Sequence, residues 1–324
     1  MKIIKQKNRK KPDKGALQIA DEAVNMLCSS SPHTISSYYI GSVPFVSGLL
    51  YFWSDMSKSA FAYERCFIAS FWMAMLFLWM KCWHSIFTSR LKAEITENDT
   101  PRWTIGRISR TAVTQTIVQP YSLILMPIAL FLMLPFYAVH AFFQNITIID
   151  DGESWDIKQI IHKAYKHSLL WPKQNHILIW LFSPWVLALG MTIVFLIMRF
   201  VLSSMPEVGI LKTFIMLRLL QIMIYYFLLP LSPFGSIVAG NIALFLAIMP
   251  GLLKSLFGIQ TIFTLSGFSG IFNSTFIMIV FALSYLCLDP IIKSVYTLRC
   301  FYADSQSTGQ DLMTELKIMQ NKRT

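Results

Sequence analysis

Long apolar stretches recur along this chain between Ser37 and Ile292, and no other feature constrains its fold as strongly. A run of about 18 or more apolar residues is long enough to cross the roughly 30 Å hydrocarbon core of a bilayer as a helix. No water satisfies the backbone inside the bilayer, whereas an α-helix satisfies it internally. The stretches therefore predict an all-α protein, a polytopic transmembrane helix bundle of about six spans with interfacial amphipathic helices.

Composition agrees with a membrane protein. Apolar residues make up 55% of the 324 residues, above the roughly 45–50% of a soluble domain. The net charge of +11 would suggest nucleic-acid binding in a soluble chain. Here the bases flank the apolar stretches, so they indicate membrane orientation, and we expect no nucleic-acid partner. The five cysteines lack C-x-x-C spacing, which argues against a zinc site and a disulfide framework.

The apolar stretches also locate the spans. Five are predicted at about Ser37–Ser54, Cys66–Phe87, Pro120–Phe143, Ile177–Leu202 and Phe272–Ile292. The intervening region Ile210–Lys254 holds either one long helix broken near Pro230–Pro233 or two shorter spans that meet there. The total is five, six or seven spans, depending on this region.

The distribution of basic residues favours six. With six spans and a cytoplasmic N-terminus, 21 of the 28 Lys and Arg residues lie on the cytoplasmic side. The seven on the outer side are then Lys58, Arg65, Lys158, Lys163, Lys166, Lys173 and Lys254. Seven spans give a weaker division of 17 to 11. Cytoplasmic loops are enriched in Lys and Arg, so we predict a multi-pass protein of the cell inner membrane with both termini in the cytoplasm.

The chain divides into three parts. Residues 1–36 are predicted to form a basic cytoplasmic tail with an amphipathic helix, residues 37–302 the transmembrane domain, and residues 303–324 a cytoplasmic C-terminal helix capped by Thr308. Amphipathic segments at 19–27, 105–117 and 157–170 each precede a proline and a span, and we expect them in the membrane interface. Their recurrence leaves an inverted internal repeat open.

Ionisable or strongly polar residues inside spans are costly, so each is a candidate functional position. Lys81 and His84 lie near the cytoplasmic end of the second span, where snorkelling is the favoured interpretation. Asp289 and Lys293 are four residues apart, which favours a local ion pair over a proton relay. Asn241 lies in the broken fifth span, where it either lines a solute site or bonds to a neighbouring helix.

Other polar groups receive structural interpretations. His140, near the outer end of the third span, is interpreted as an interfacial histidine. The acidic stretch 150–156 lacks the spacing of an EF-hand and is interpreted as a solvated turn. No nucleotide-binding loop or nucleophile elbow is present in the sequence. We therefore expect no catalytic residues, no cofactor and no metal ligands.

Several short motifs resemble a known group of proteins. The sequences Ala239-Gly-Asn-Ile, Met249-Pro-Gly-Leu-Leu-Lys and Leu288-Asp-Pro-Ile-Ile-Lys resemble the C-terminal half of a bacterial multi-pass inner-membrane protein family with no known activity. Tyr39-Ile-Gly-Ser-Val-Pro-Phe and Trp79-Met-Lys-Cys-Trp resemble its N-terminal half. The order of amphipathic helices and spans is distantly similar to the membrane domain of some glycerophosphodiester phosphodiesterases. The resemblance implies a membrane-embedded accessory role.

These observations lead to two main functional hypotheses, and an intramembrane or lipid-modifying enzyme that uses Lys81, His84 and Asp289 is a third, weaker one. The first is a non-enzymatic scaffold or accessory subunit of an envelope complex, whose partners are the lipid bilayer and other membrane or envelope proteins. Its basis is the basic tail and the interfacial helices, which offer docking surface. The alternative is a transporter or channel for a small solute that uses the broken helix around residues 230–241.

Overall fold

The described part of the chain is entirely α-helical and contains no strand. The computed structural model describes residues 14–96, 98, 101–131, 136–153, 155–182, 233–258, 273–309 and 312–313. Its helices are α1 (Ala16–Ser29), α2 (Pro32–Lys58), α3 (Ala62–Thr96), α4 (Ile105–Val118), α5 (Pro120–Phe131), α6 (Phe136–Ile149), α7 (Ile157–Ser168), α8 (Pro172–Phe182), α9 (Pro233–Phe257) and α10 (Ser274–Thr308).

Three described helices are long and apolar enough to cross a bilayer. They cover Ala62–Thr96, Phe234–Phe257 and Ser274–Gln306. The first contains the predicted second span, and the last contains the predicted last span from residue 274 onward. The middle one covers most of the second half of the ambiguous region 210–254. The protein is therefore a helical membrane protein, as the apolar stretches predict.

Helices α2 and α3 form a long antiparallel hairpin. Ser31 caps α2 by accepting a hydrogen bond from the Thr34 amide, and Pro32 occupies the first turn, where its missing N–H costs nothing. The two helices approach closely at Gly41, where an added Cβ would lie 2.5 Å from the Cβ of Trp83. At 27 residues, α2 is about 40 Å long at 1.5 Å per residue, so it extends along most of α3.

The predicted third span, Pro120–Phe143, is not a single crossing. It is divided into α5 and α6, which at 12 and 14 residues are about 18 and 21 Å long. The end of α6 returns to the start of α5, because the Gln119 amide donates to the Thr147 hydroxyl at 3.2 Å. The Gln115 amide likewise donates to the Asp150 carboxylate at 2.9 Å. The segment is therefore a helical hairpin that begins and ends at the same end of the molecule.

This hairpin corrects the predicted sides of the membrane. The charge count places Lys163 outside and Asp304 in the cytoplasm, yet Lys163 Nζ lies 2.9 Å from Asp304 Oδ1. The same count places Arg107 in the cytoplasm and Asp151 outside, yet the Arg107 guanidinium donates to the Asp151 carbonyl at 2.9 Å. Groups in direct contact lie on one side of a bilayer. The opposite-side assignment of Lys158, Lys163, Lys166 and Lys173 is therefore wrong, because the hairpin contributes no net crossing.

Helix α10 is the central element of the described structure. Its residues Leu288, Val295 and Leu298 pack against α1 and α8 in the largest buried apolar cluster. Helix α9 runs antiparallel to α10, since Val238 packs against that cluster whereas Ala239 and Leu246 approach Phe276 and Val280, nearer the start of α10. The Lys14 ammonium donates to the Tyr302 hydroxyl, which brings the start of α1 to the end of α10.

Helix α10 changes two predictions about the C-terminal part of the chain, the domain boundary and the helix cap. Helix α10 continues without interruption through the predicted boundary at residues 302–303. Thr308, predicted to cap a following helix, is the last residue of α10, and Gly309 ends the helix in the left-handed region at φ 68°. The rest of the predicted C-terminal helix, apart from residues 312–313, lies outside the described residues, as does the basic tail before residue 14.

The molecule has two chemically different ends. We call the end that holds the start of α1, the end of α3, α4, α7 and the end of α10 the basic face. Its described bases are Lys14, Arg90, Lys92, Arg102, Arg107, Arg110, Lys158, Lys163, Lys166, Lys173 and Arg299. We call the other end, with the α2–α3 turn and the end of α9, the far end. The described bases there are Lys58, Arg65 and Lys254.

Candidate functional site

A buried polar cluster lies between α2, α3, α6, α8 and α10, on the basic-face side of the spans. Nine side chains form it: Tyr38, Ser42, His84, His140, Gln144, Asn175, Asp289, Lys293 and Tyr296. All but the half-buried Gln144 are buried. Buried polar groups are expensive unless they are hydrogen-bonded, so the pairing within this cluster decides what it does.

One half of the cluster surrounds the Asp289 carboxylate. The Tyr38 hydroxyl donates to Asp289 Oδ2 at 3.0 Å, and His84 Nε2 lies 3.9 Å from the same oxygen. The Ser42 hydroxyl lies 2.8 Å from His84 Nε2, and the Tyr38 ring stacks on the imidazole at 4.9 Å. These contacts join α2 and α3 to α10.

This half resembles a Ser–His–Asp triad only in composition. In a triad the serine and the carboxylate contact opposite ring nitrogens of the histidine, so that the carboxylate fixes the tautomer that accepts the serine proton. Here Ser42 and Asp289 both approach Nε2, while His84 Nδ1 has no partner among the described residues. The geometry therefore does not support nucleophilic catalysis by Ser42.

The other half of the cluster is a directional chain of hydrogen bonds. Lys293 Nζ donates to Gln144 Oε1 at 2.6 Å, and the Gln144 amide nitrogen lies 3.5 Å from His140 Nε2. With its Nε2 as acceptor, His140 carries its proton on Nδ1, which lies 3.2 Å from the Tyr296 hydroxyl.

The chain ends on an amide and a backbone carbonyl. The Tyr296 hydroxyl donates to Asn175 Oδ1 at 2.6 Å, and Asn175 Nδ2 donates to the Tyr137 carbonyl at 2.7 Å. An amide does not readily pass on a proton, so this half is arranged to hold α6, α8 and α10 together and not to conduct protons. A small space beside His140 and Tyr296 has no room for a water molecule.

The predicted polar positions have different outcomes. His84, Asp289 and Lys293 are brought into the cluster. Asp289 and Lys293 direct their side chains to Tyr38 and Gln144 on other helices, so the predicted local pair along α10 is replaced by contacts between helices. His84 is fully buried and does not snorkel.

The structure also places the two remaining candidate positions, Lys81 and Asn241. Lys81 is half-buried, and its ammonium lies 5.3 Å from the centre of the Phe77 ring, which agrees with a side chain at the edge of the cluster. Asn241 lies on an exposed face of α9. Helix α9 is continuous through Gly240 and Pro250, so the predicted break does not extend into residues 233–257, and residues 230–232 lie outside the described residues.

Sequence reasoning missed most of the cluster. His140 is buried and not interfacial, and Tyr38, Gln144, Asn175 and Tyr296 were not among the candidate functional positions. A signal was present, since Tyr38 and Ser42, and also His140 and Gln144, are polar pairs four residues apart in apolar helices and so share a helix face. The partner helix of each pair was not readable from the sequence.

A second set of charged contacts holds the basic face together. Asp304 on α10 contacts Lys92 at 3.5 Å, Lys163 at 2.9 Å and His167 Nε2 at 3.4 Å, joining α3 and α7 to α10. Burial lowers the pKa of His167, and the nearby lysines lower it further, against the opposing effect of Asp304. His167 is therefore suited to be neutral in the folded protein near pH 7.

Arg299 extends these contacts to the α7–α8 turn. Its guanidinium donates to the Leu170 carbonyl at 2.9 Å and to Gln174, and lies 5.7 Å from the centre of the Trp171 ring. Trp171 has φ 50°, which is uncommon for a residue with a side chain. We infer that Arg299 helps to hold this strained turn.

No protein-family model, curated protein or solved structure matches the chain. The resemblance to an inner-membrane family therefore stays a hypothesis.

Proposed function

We propose that this protein is a non-enzymatic subunit of an inner-membrane complex. Its basic face lies in the cytoplasm and docks a partner protein. The observation that carries the proposal is the gathering of three amphipathic helices, α1, α4 and α7, at the same end of the molecule as most described bases. Such an end offers a broad, charged and rigidly held surface. The accessory role implied by the family resemblance agrees with it.

The orientation is supported by the corrected charge distribution. The sequence count placed the bases at residues 158–173 outside. Lys163 contacts Asp304, and the Gln174 side chain donates to the Lys14 carbonyl, so these bases lie on the basic face. Among described residues only Lys58, Arg65 and Lys254 remain at the far end. Moving the four lysines of residues 158–173 to the basic face strengthens the asymmetry among the described bases, and positively charged ends face the cytoplasm.

We propose six crossings with a different assignment. Helices α3, α9 and α10 are long and apolar enough to cross the bilayer. Helix α2, which runs antiparallel to α3, is the fourth proposed crossing, and the α5–α6 hairpin contributes none. The chain from residue 177 to residue 232 contains two apolar stretches and lies largely outside the described residues. If those stretches cross once each, the total is six, and the region 210–254 is two spans that meet near Pro230–Pro233.

Two single-cysteine variants distinguish this topology from the one predicted by the charge count. In a cysteine-free background, Ser57→Cys at the far end is expected to react with a membrane-impermeant maleimide in intact cells. Gln159→Cys on α7 is expected to react only after the membrane is permeabilised. The charge count, which placed α7 outside, predicts that it reacts in intact cells. Labelling of Gln159→Cys in intact cells, with Ser57→Cys protected, would reverse the proposed orientation.

The docking surface is best tested on α7. Its inner face packs through Ile160 and Ala164, and its outer face exposes Lys158, Tyr165 and Lys166. Affinity capture of the full chain in mild detergent should recover a stoichiometric partner, and Lys158→Glu with Lys166→Glu should release it. The far-end change Lys254→Glu is the matched control and should retain it. A chain that always purifies alone would count against the proposal.

Transport of a small solute or ion is the second candidate. It is favoured by the ionisable residues His84, Asp289 and Lys293 in helices long enough to span the membrane. Asn241 does not support a solute route, because it lies on an exposed face of a continuous helix. Reconstituted vesicles that move solutes with wild-type protein and fail with Lys293→Met would favour transport over docking.

A further inference from the structure

The strongest unassigned feature lies where α4 meets the end of the α5–α6 hairpin. Three buried side-chain oxygens there have no hydrogen-bond partner among the described residues: Thr111 Oγ1, Gln115 Oε1 and Asp150 Oδ1. The exposed fraction of all three residues is 1% or less. Buried polar atoms are nearly always paired, so three unpaired oxygens in one place need an explanation.

The three oxygens share one small region. Gln115 and Thr111 are four residues apart on α4 and therefore lie on the same face. The Gln115 amide nitrogen donates to Asp150 Oδ2 at 2.9 Å, which brings the amide and the carboxylate face to face. Gly152 adopts φ 67°, and a Cβ added to it would lie 2.8 Å from Thr111 Oγ1. The loop after Asp150 thus folds directly over Thr111.

The Asp150 carboxylate lacks a compensating cation. Its described partners are the Gln115 amide and the Gly152 backbone amide. Arg107 and Arg110 lie nearby, but their guanidinium groups donate to the carbonyls of Asp151 and Glu153. Buried charges in proteins are normally paired or coordinate a metal ion.

The surroundings favour a cation of single charge. Carboxylate, amide and hydroxyl oxygens are the ligands of hard cations. Asp150 directly follows the last residue of α6, and the C-terminal end of a helix carries partial negative charge. The acidic residues Asp150, Asp151 and Glu153 outnumber Arg107 and Arg110 here by one formal charge, and Arg107 is paired with Glu153. One monovalent cation neutralises this excess, whereas a divalent ion would leave a net positive charge. Half-helix C-termini and free carbonyl oxygens coordinate Na⁺ in membrane transporters.

We propose that Thr111, Gln115 and Asp150 bind a monovalent cation, with Na⁺ as the probe, that fastens the end of the α5–α6 hairpin to α4. The site is separate from the buried polar cluster and does not depend on the proposed docking function. A bound water molecule is the competing occupant, because water also bridges buried oxygens. Water binding would not depend on the cation in the buffer.

The test is a salt-replacement titration of the full-length protein in nanodiscs. NaCl replaces choline chloride at constant ionic strength, and Tm is followed. Wild-type protein is expected to show a saturable rise of Tm, since a ligand that binds only the folded state stabilises it by mass action. Asp150→Asn and Thr111→Val should raise the Na⁺ concentration for half of this rise at least tenfold. Thr116→Val, on the exposed face of α4, is the matched control and should respond like wild type.

A second measurement does not depend on any variant. ²³Na NMR of wild-type protein in nanodiscs should show broadened Na⁺ lines. The same nanodiscs without protein should not broaden them. The proposal fails if Tm is the same in Na⁺ and choline throughout the titration. It also fails if Thr111→Val lowers Tm equally in both salts while ²³Na lines stay sharp, since that result assigns the site to water.

Discussion

Helix α3 differs between its two halves, and the difference separates the parts of this protein that face lipid from those that pack on protein. Phe67 in the first half is 84% exposed, whereas Phe87 in the second half is fully buried. Only 11% of the apolar window of α3 is buried in the described structure, and only 6% of that of α9. Toward the basic face the same helix packs against α2, α4, α6 and α10.

The contrast follows from the solvent on each side. In hydrocarbon, an exposed Phe or Leu costs nothing, so the far half of α3 and the whole of α9 need few protein contacts. Near the headgroups and water, exposed apolar side chains become costly, and the polar side chains that are buried with them must be paired. The buried polar cluster and the basic-face ion pairs therefore occupy one half of the molecule, and substitutions in the two halves should differ.

The largest effect is expected for Asp289→Ala. This change removes the acceptor of Tyr38 and leaves Lys293 and Lys81 without a nearby carboxylate. Breaking a buried charged contact in this way costs about 3–5 kcal/mol. Thermal unfolding in nanodiscs measures it, with exposed Glu64→Ala as the control. An unchanged Tm would mean that the cluster does not hold the helices together.

The two phenylalanines of α3 form a direct pair. Phe87→Ala should cost about 3 kcal/mol, because it leaves a cavity against Tyr38 and Leu91. Phe67→Ala should cost less than about 0.5 kcal/mol, because lipid chains fill the space. If Phe67→Ala costs as much as Phe87→Ala, its face of α3 is covered by protein and the comparison of the two halves is wrong.

Two glycines provide a smaller contrast of opposite sign. Gly41→Ala places a Cβ 2.5 Å from the Trp83 Cβ and should cost about 1–3 kcal/mol by forcing α2 and α3 apart. Gly240→Ala meets no atom within 4 Å and should stabilise α9 by about 0.5–1 kcal/mol, since alanine favours the helix. Urea or thermal unfolding of both variants measures the difference, and equal signs would contradict it.

The smallest expected effect is on pH dependence at His167. Burial lowers its folded-state pKa, so its contribution to stability is complete above the unfolded pKa of about 6.5 and is lost as the pH falls from there through the lower folded-state pKa. His167→Gln should therefore lose less Tm than wild type between pH 7.5 and pH 5.5. If both proteins respond alike, α7 docks on α10 without a contribution from this histidine.

Much of this structure was predictable because bilayer thickness and backbone hydrogen bonding act on local sequence. The apolar stretches in α3 and α10 were recognisable by length alone. Asp289, Lys293 and His84 stood out because charged or titratable residues are rare in such stretches. Their partners were not recognisable, since Tyr38, Ser42 and Gln144 are uncharged and come from other helices of the chain.

The sequence by itself determined that this is a helical membrane protein and which residues in its spans are expensive to bury, because both depend on local hydropathy. Only the tertiary structure decided that Pro120–Phe143 turns back, that Lys163 and Asp304 lie on one side, and that Asp289 pairs across helices and not along its own. A hairpin and a crossing have nearly the same composition. The contacts of Gln115 and Gln119 with the end of α6 distinguish them, and such contacts exist only in the folded chain.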